Sequence, residues 1–540
     1  MRIVKPILST ASMALILAAC GSPKLVSTPI ENIDNTPLKV TELTDTEMKH
    51  WGHLDLVQDT IPGMSVEKAY NEILNARKGQ PVIVGVIDSG VDINHEDLKD
   101  VIWINKDEVP NNGIDDDKNG YIDDVYGWNF LGEAVDENLE LTRIVKKGDD
   151  GSAAYQKAKA EFDKKKQEAS QNAQRYEQIY QVVLDADEAI AKHLGKKEYT
   201  KEDVDAIETD DQALLQAKGM MSQFLSRTDG VADLKEQIKG GVDYYTDQLK
   251  YNLNLDFDGR AVVGDDPYDI NDTDYGNGDV ITDSELAKHG THVAGIIAAT
   301  RNNNIGMDGV AQNVEIMAVR AVPNGDEYDK DIALAIRYAV DNGAKVINTS
   351  FGKYYSPNPE WVWDAIKYAA EKDVLIVNAA GNEGEDLDKT NVYPNDAKDN
   401  SPEIADNFLT VGALHYKYGP EMIATFSNYG EVNVDVFAPG TKIWATTPEN
   451  TYEYLQGTSM AAPAVAGVAA TIRSYYPKLS AAQVKQVIMN SGLAAKSNVI
   501  LGGNPADKES FATISKSGKM VNLYNAIILA DKVSRGEINL

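Results

Sequence analysis

Three short motifs carry residue types that could together transfer an acyl group. Asp88-Ser89-Gly90 places a carboxylate directly after the apolar, β-branched run of residues 82–87. His289-Gly290-Thr291-His292 opens a stretch of small and apolar residues that extends to Ala299, the texture of a buried helix. Gly457-Thr458-Ser459-Met460-Ala461-Ala462-Pro463 sets Ser459 at the head of a second such helix, with Pro463 expected in its first turn. There the positive helix end and nearby backbone N–H groups would favour a developing negative oxygen. Carboxylate, imidazole and hydroxyl form the relay of serine hydrolysis. Singly, each is as readily a cap or a turn residue. The two histidines do not make a zinc pair, because no Glu stands between them.

The surrounding pattern indicates what must position these groups. Apolar runs at residues 82–87, 315–319, 345–348, 374–378 and 408–411 alternate with helical periods. Ala333, Ile336, Ala339 and Val340 form one such period, and Val362, Ile366 and Ala369 another. This predicts an α/β fold with a mostly parallel sheet and helices on both faces. Chemistry in such sheets gathers at the carboxyl ends of strands, where Asp88 falls.

Residues 141–251 break the pattern. Tyr155, Phe162, Ala169, Tyr176, Val183 and Ile190 recur every seven residues, with Ala158, Ile179 and Ala186 on a neighbouring row. Val231, Leu234, Ile238, Val242, Tyr245 and Leu249 form a second stripe, interrupted by Gly240-Gly241. Thr200 with Asp203 is a capping-box pattern for a shorter helix between them. The expectation is a protruding α-helical hairpin, roughly 60 Å long for a first helix of about 40 residues. It is either a spacer or a docking arm for large substrates.

In order and in wording, the three motifs resemble the subtilase family. That resemblance covers residues 61–140 and 252–535 and implies a subtilisin-like doubly wound fold with serine endopeptidase activity on polypeptide substrates. A catalytically idle scaffold is the alternative. By the same resemblance Ser459 is the nucleophile, His289 its general base, Asp88 the residue that orients His289, and Asn382 the oxyanion donor beside the Ser459 N–H. Ser350, Phe351 and Gly352 are implied as one wall of the primary specificity pocket, and Ala379, Ala380 and Gly381 as the other. His292 is implied to pack rather than catalyse. The 201 residues separating Asp88 from His289 are accounted for by the helical insertion. The implied organisation is residues 1–20 as signal, 21–60 as an N-terminal segment, 61–140 and 252–540 as the peptidase domain, and 141–251 as the insertion. About 60 residues lie between Cys20 and the first strand, too few for a full folding prodomain as well, and no further domain is expected after the terminal helix. Asp326, Glu327 and Asp329 follow the presumed substrate-binding strand, so acidic side chains facing the substrate would favour Lys or Arg upstream of the cleaved bond.

Charge and the one cysteine add three expectations. Asp115, Asp117, Asn119, Tyr121 through its carbonyl, and Asp123 have EF-hand spacing around Gly120, which points to Ca²⁺. Position twelve is Tyr126 and lacks the usual Glu; a solvated acidic turn is the alternative. Asp97 falls where subtilases place a calcium carboxylate. With 52 basic against 84 acidic residues the net charge is −32, which disfavours nucleic acid and anionic membrane surfaces as partners. Arg2 and Lys5 precede a short apolar stretch that ends in Leu17-Ala18-Ala19-Cys20, resembling a bacterial lipobox. This implies lipidation of Cys20, the only cysteine, and a cell-envelope location anchored to a membrane, on the periplasmic or outer-membrane face if the organism has two membranes.

Overall fold

A computed structural model describes residues 25–228, 230–281 and 286–540; the signal-like segment and Cys20 lie outside them. Seven parallel strands form the body of the sheet. They are β1 (Val82–Asp88), β2 (Gly127–Asn129), β3 (Val314–Arg320), β4 (Val346–Thr349), β5 (Leu375–Ala379), β6 (Phe408–Leu414) and β7 (Val436–Pro439), in the spatial order β2-β3-β1-β4-β5-β6-β7. Two short strands extend the edge beyond β7. One, Lys519–Met520, is parallel to β7, and the other, Leu493–Ala494, is antiparallel. The five predicted runs are β1 and β3 to β6. β2 and β7 are too short to stand out in a sequence.

The alternation of a strand covered on both faces is explicit. Val82, Val84 and Val86 of β1 and Leu375 and Val377 of β5 point into one apolar core, while Ile87 and Ile376 point into the other. On the first face lie α6 (Lys288–Ala298) and α9 (Thr458–Tyr475); on the second lie α7 (Asp329–Asp341) and α8 (Pro359–Glu371). Their Ala and Gly content lets α6 and α9 pack tightly in the molecule's centre. β3 and β4 flank β1 on opposite sides, so the chain reverses direction of travel at β1 and opens a crevice at its carboxyl end.

The insertion comprises α1 (Glu140–Lys147), α2 (Ala153–Leu194), α3 (Lys201–Asp205), α4 (Gln212–Leu225) and α5 (Val231–Asp247). Thr200 and Asp203 form the expected capping box on α3. α2 has 42 residues and α5 only 17, so α5 covers less than half of the apolar seam of α2. The rest is covered by α1, whose Leu141 and Val145 meet Ala158, Phe162 and Ala169 at the proximal end, and by α4. Leu214, Ala217, Met221 and Leu225 of α4 close over Val183, Ala186 and Ile190 at the distal end. α5 runs unbroken through Gly240-Gly241, because Tyr176 of α2 lies where a Gly241 Cβ would be, 2.3 Å from its ring. No helix among the described residues is long and apolar enough to cross a membrane.

Candidate active site

Asp88 is the last residue of β1, His289 the second of α6 and Ser459 the second of α9, and the crevice brings all three together. His289 Nδ1 lies 2.6 Å from Asp88 Oδ1. The carboxylate is buried, while the imidazole keeps 38% of its side chain exposed to the crevice. Enclosure lowers the His289 pKa, but the charge of Asp88 and their hydrogen bond outweigh it and leave the imidazole above the ordinary histidine value. His292, one turn further along, is fully buried with Nε2 3.1 Å from Ile443 O and 3.2 Å from Glu453 O. Burial pushes its pKa down to about 3, so it packs as a neutral ring.

Ser459 and Ser350 are joined reciprocally. The Ser459 hydroxyl donates to Ser350 O at 3.0 Å, and the Ser350 hydroxyl donates to Ser459 O at 2.9 Å. The Ser459 hydroxyl thus has Ser350 O as its acceptor. The second bond has a cause that the sequence reading missed. Pro463 sits in the second turn of α9, not the first, and has no N–H for the carbonyl of Ser459 four residues earlier. Ser350 fills that vacancy and so ties the segment after β4 to the head of α9.

Asn382 follows β5 at the crevice edge. Its Oδ1 accepts from Thr458 N at 2.8 Å and Thr458 Oγ1 at 3.1 Å, which turns the Nδ2 donor outward without a partner among the described residues. Thr458 Oγ1 in turn accepts Gly381 N–H at 3.0 Å. The Ser459 N–H lies in the first turn of α9, where no intrahelical acceptor exists. Two donors thus face one space. Ser350, Phe351 and Gly352 leave the end of β4, and Ala379, Ala380 and Gly381 leave β5, so the two implied pocket walls are adjacent.

The acidic loop after β3 does not face a substrate groove. Glu327 and Asp329 are buried, Asp326 Oδ2 accepts Glu140 N–H at 2.7 Å, and Lys353 Nζ lies 2.8 Å from Asp329. Arg143 of α1 donates to Asp326 O and Lys353 donates to Glu327 O. These carboxylates anchor the insertion, so the expected preference for basic substrate residues loses its structural basis. The acidic stretch at residues 265–279 is partly buried too: Asp265 bonds Arg260 and Lys330.

The EF-hand-like loop gathers only part of its predicted ligand set. Oxygens of Asp115, Asp117 and Glu108 lie within 4.8 Å of one another. Glu108 was not foreseen; it stands seven residues before the motif, where no spacing rule looks. It is 6% exposed, and its Oε2 has no hydrogen-bond partner. A buried, unsatisfied carboxylate oxygen beside two aspartates fits a hard cation. Asp123 turns away to accept Asn112 N–H and Gly113 N–H, and Asn119 donates to Asp117 and Asp124. Gly120 takes φ 98°, as the sharp turn requires. Asp97 is buried elsewhere, accepting Asn303 Nδ2 at 2.6 Å and Met307 N at 3.3 Å; burial raises its pKa.

The profile of the Subtilase family matches residues 79–504. Over 238 residues the chain is 42% identical to the Thermophilic serine proteinase of Bacillus sp. strain AK1, a match covering 44% of this chain and 51% of that protein. It is 38% identical to Thermitase of Thermoactinomyces vulgaris over 44% of this chain and 75% of the relative. Subtilisin Savinase of Lederbergia lenta is 35% identical, over 41% and 76%. The chain therefore spans about half the length of the first relative and three quarters of the other two. The chain belongs to the subtilase family.

Proposed function

We propose that the protein is a serine endopeptidase that cleaves polypeptides through an acyl-enzyme formed on Ser459. The observation that carries this reading is the His289–Asp88 pair at the mouth of a crevice into which Ser459 opens. His289 Nε2 takes the Ser459 proton as Oγ attacks the peptide carbonyl, and later delivers it to the leaving amine. Asp88 holds Nδ1 and favours the imidazolium that forms in between. The carbonyl oxygen, gaining charge, is met by Asn382 Nδ2 and the Ser459 N–H. Water then attacks the ester, with His289 again as base. Ser350–Gly352 and Ala379–Gly381 receive the side chain before the cleaved bond. Ser459→Ala should abolish both peptide hydrolysis and labelling by a fluorophosphonate while leaving the fold intact; turnover comparable to wild type would refute the serine mechanism.

Structural calcium is common in the family. Here Glu108, Asp115 and Asp117, with the Tyr121 carbonyl, would hold Ca²⁺ and neutralise their mutual repulsion, with Asp97 as a second candidate ligand elsewhere. Export, lipidation of Cys20 and attachment to a membrane of the cell envelope are part of the same proposal; they rest on the residue pattern of positions 1–20. Metabolic labelling with palmitate, absent in a Cys20→Ser variant, tests the anchor.

A further inference from the structure

The inserted bundle does not stand clear of the catalytic face. A groove of about 620 Å³ runs between the N-terminal half of α2 and the loop that carries Asn382. Lys157, Glu161 and Lys165 line it from the helix; Tyr354, Glu383 and Glu385 line it from the peptidase side. The Tyr355 hydroxyl donates to Glu161 Oε2 at 2.6 Å, and its ring packs against the apolar base of the bundle. Tyr354 donates to Glu383 Oε2 at 2.5 Å, and the same oxygen accepts the Asn382 N–H at 2.8 Å. The groove's inner edge is thus one residue from the oxyanion donor and two residues beyond the wall at Gly352.

We propose that α2 is a wall of the substrate cleft and that this groove is a subsite for the part of an extended polypeptide lying outside the primary pocket. The proposal rests on the peptidase reading above. Apart from Glu385 on the peptidase side, whose carboxylate accepts only from Thr390 Oγ1 at 3.4 Å among the described residues, the groove's charges other than Lys157 are committed. Glu161 is held by Tyr355 and Lys165, Glu383 by Tyr354, and Lys389 by Asp386. Lys157 makes no ion pair among the described residues and projects from the helix beside the Tyr355 ring. The helix side of the subsite therefore presents a cation, and the side chain it matches is a carboxylate.

The test uses the whole protein and two substrate lengths: an acyl-amino-acid ester filling only the primary pocket, and longer peptides scanned with Glu, Gln or Lys at each position. Wild type should prefer Glu at one position, and Lys157→Glu should reverse that preference about tenfold in kcat/KM. Ala154→Trp, which fills the groove from the helix, should raise KM for long peptides about tenfold and leave ester hydrolysis and fluorophosphonate labelling unchanged. Wild-type behaviour of both variants on every long peptide would overturn the proposal, and so would an equal loss on ester and peptide alike. A wild-type protein that does not react with fluorophosphonate would instead remove the peptidase reading beneath it.

Discussion

At the scale of single residues, the site depends on how a few polar atoms are held. Asn382 has one end of its amide fixed by Thr458, so its free Nδ2 is oriented before substrate arrives. Such a preorganised donor acts where negative charge develops. Asn382→Ala should therefore lower kcat about 10²–10³-fold, as for the corresponding donor of subtilisin, with a much smaller change in KM. A rise in KM alone would make it a binding residue. On the proposed mechanism the His289–Asp88 pair would set the pH dependence. Catalysis needs the neutral imidazole, so kcat/KM rises with pH through the His289 pKa. Because that pKa is raised, the midpoint should lie above the unperturbed value of about 6.5. Asp88→Asn should move it toward acid as well as slowing the reaction; an unmoved midpoint would detach the pair from the acid limb.

At the scale of elements, the loop of residues 108–124 is anchored at its C-terminal end and gathers three carboxylates nearer its start. Asp124 is anchored by the Tyr338 hydroxyl of α7 at 2.7 Å, and burial pushes its pKa up to about 6. Glu108, Asp115 and Asp117 accept N–H groups of the loop, but no ion pair among the described residues offsets their shared negative charge. A bound cation would supply that compensation and couple binding to folding. Chelator should lower the melting temperature of wild type, and Glu108→Gln should lower it in calcium while removing most of the response to chelator. A wild type indifferent to chelator would leave the loop an acidic turn. The same logic of coverage explains the insertion: α2 has a long heptad seam, and α1 and α4 share with α5 the burial of it because α5 is too short to bury it alone.

At the scale of the whole molecule, insertion and peptidase are joined through buried charge. Arg143, Lys353, Glu140, Glu327 and Asp329 lie at the seam, with little water to screen them. Burial raises the Glu327 pKa to about 7, from about 4.5 in the unfolded chain. Below the lower value both states hold the proton. As pH rises through the higher one the folded state must accept a buried charge, so stability falls between roughly pH 4.5 and 7. Glu327→Gln should accordingly raise the melting temperature at pH 8 and change it little at pH 4.5. An equal shift at both pH values would mean that the carboxylate's charge is not what matters.

The candidate site could be named from the linear chain because three motifs, in order and wording, resemble a family whose catalysis demands particular groups at the ends of particular elements. Asp88 after a β-branched run, and His289 and Ser459 before small-residue helices, carry that demand in local sequence. The sheet was legible for a similar reason: strands buried on both faces must be continuously apolar. The seam of α2 was visible as a seven-residue period, and the capping box of α3 as a four-residue pattern. What only the tertiary structure decided involves partners far apart in the chain or outside any repeat. Local pattern gives no sign that Glu108 reaches Asp115 and Asp117, that Ser350 serves the carbonyl Pro463 leaves unbonded, or that Glu161 of the insertion meets Tyr355. The acidic residues 326–329 show the limit most clearly. Sequence reveals their charge, but whether a charge faces water, substrate or a buried arginine is settled by which distant segment folds against it.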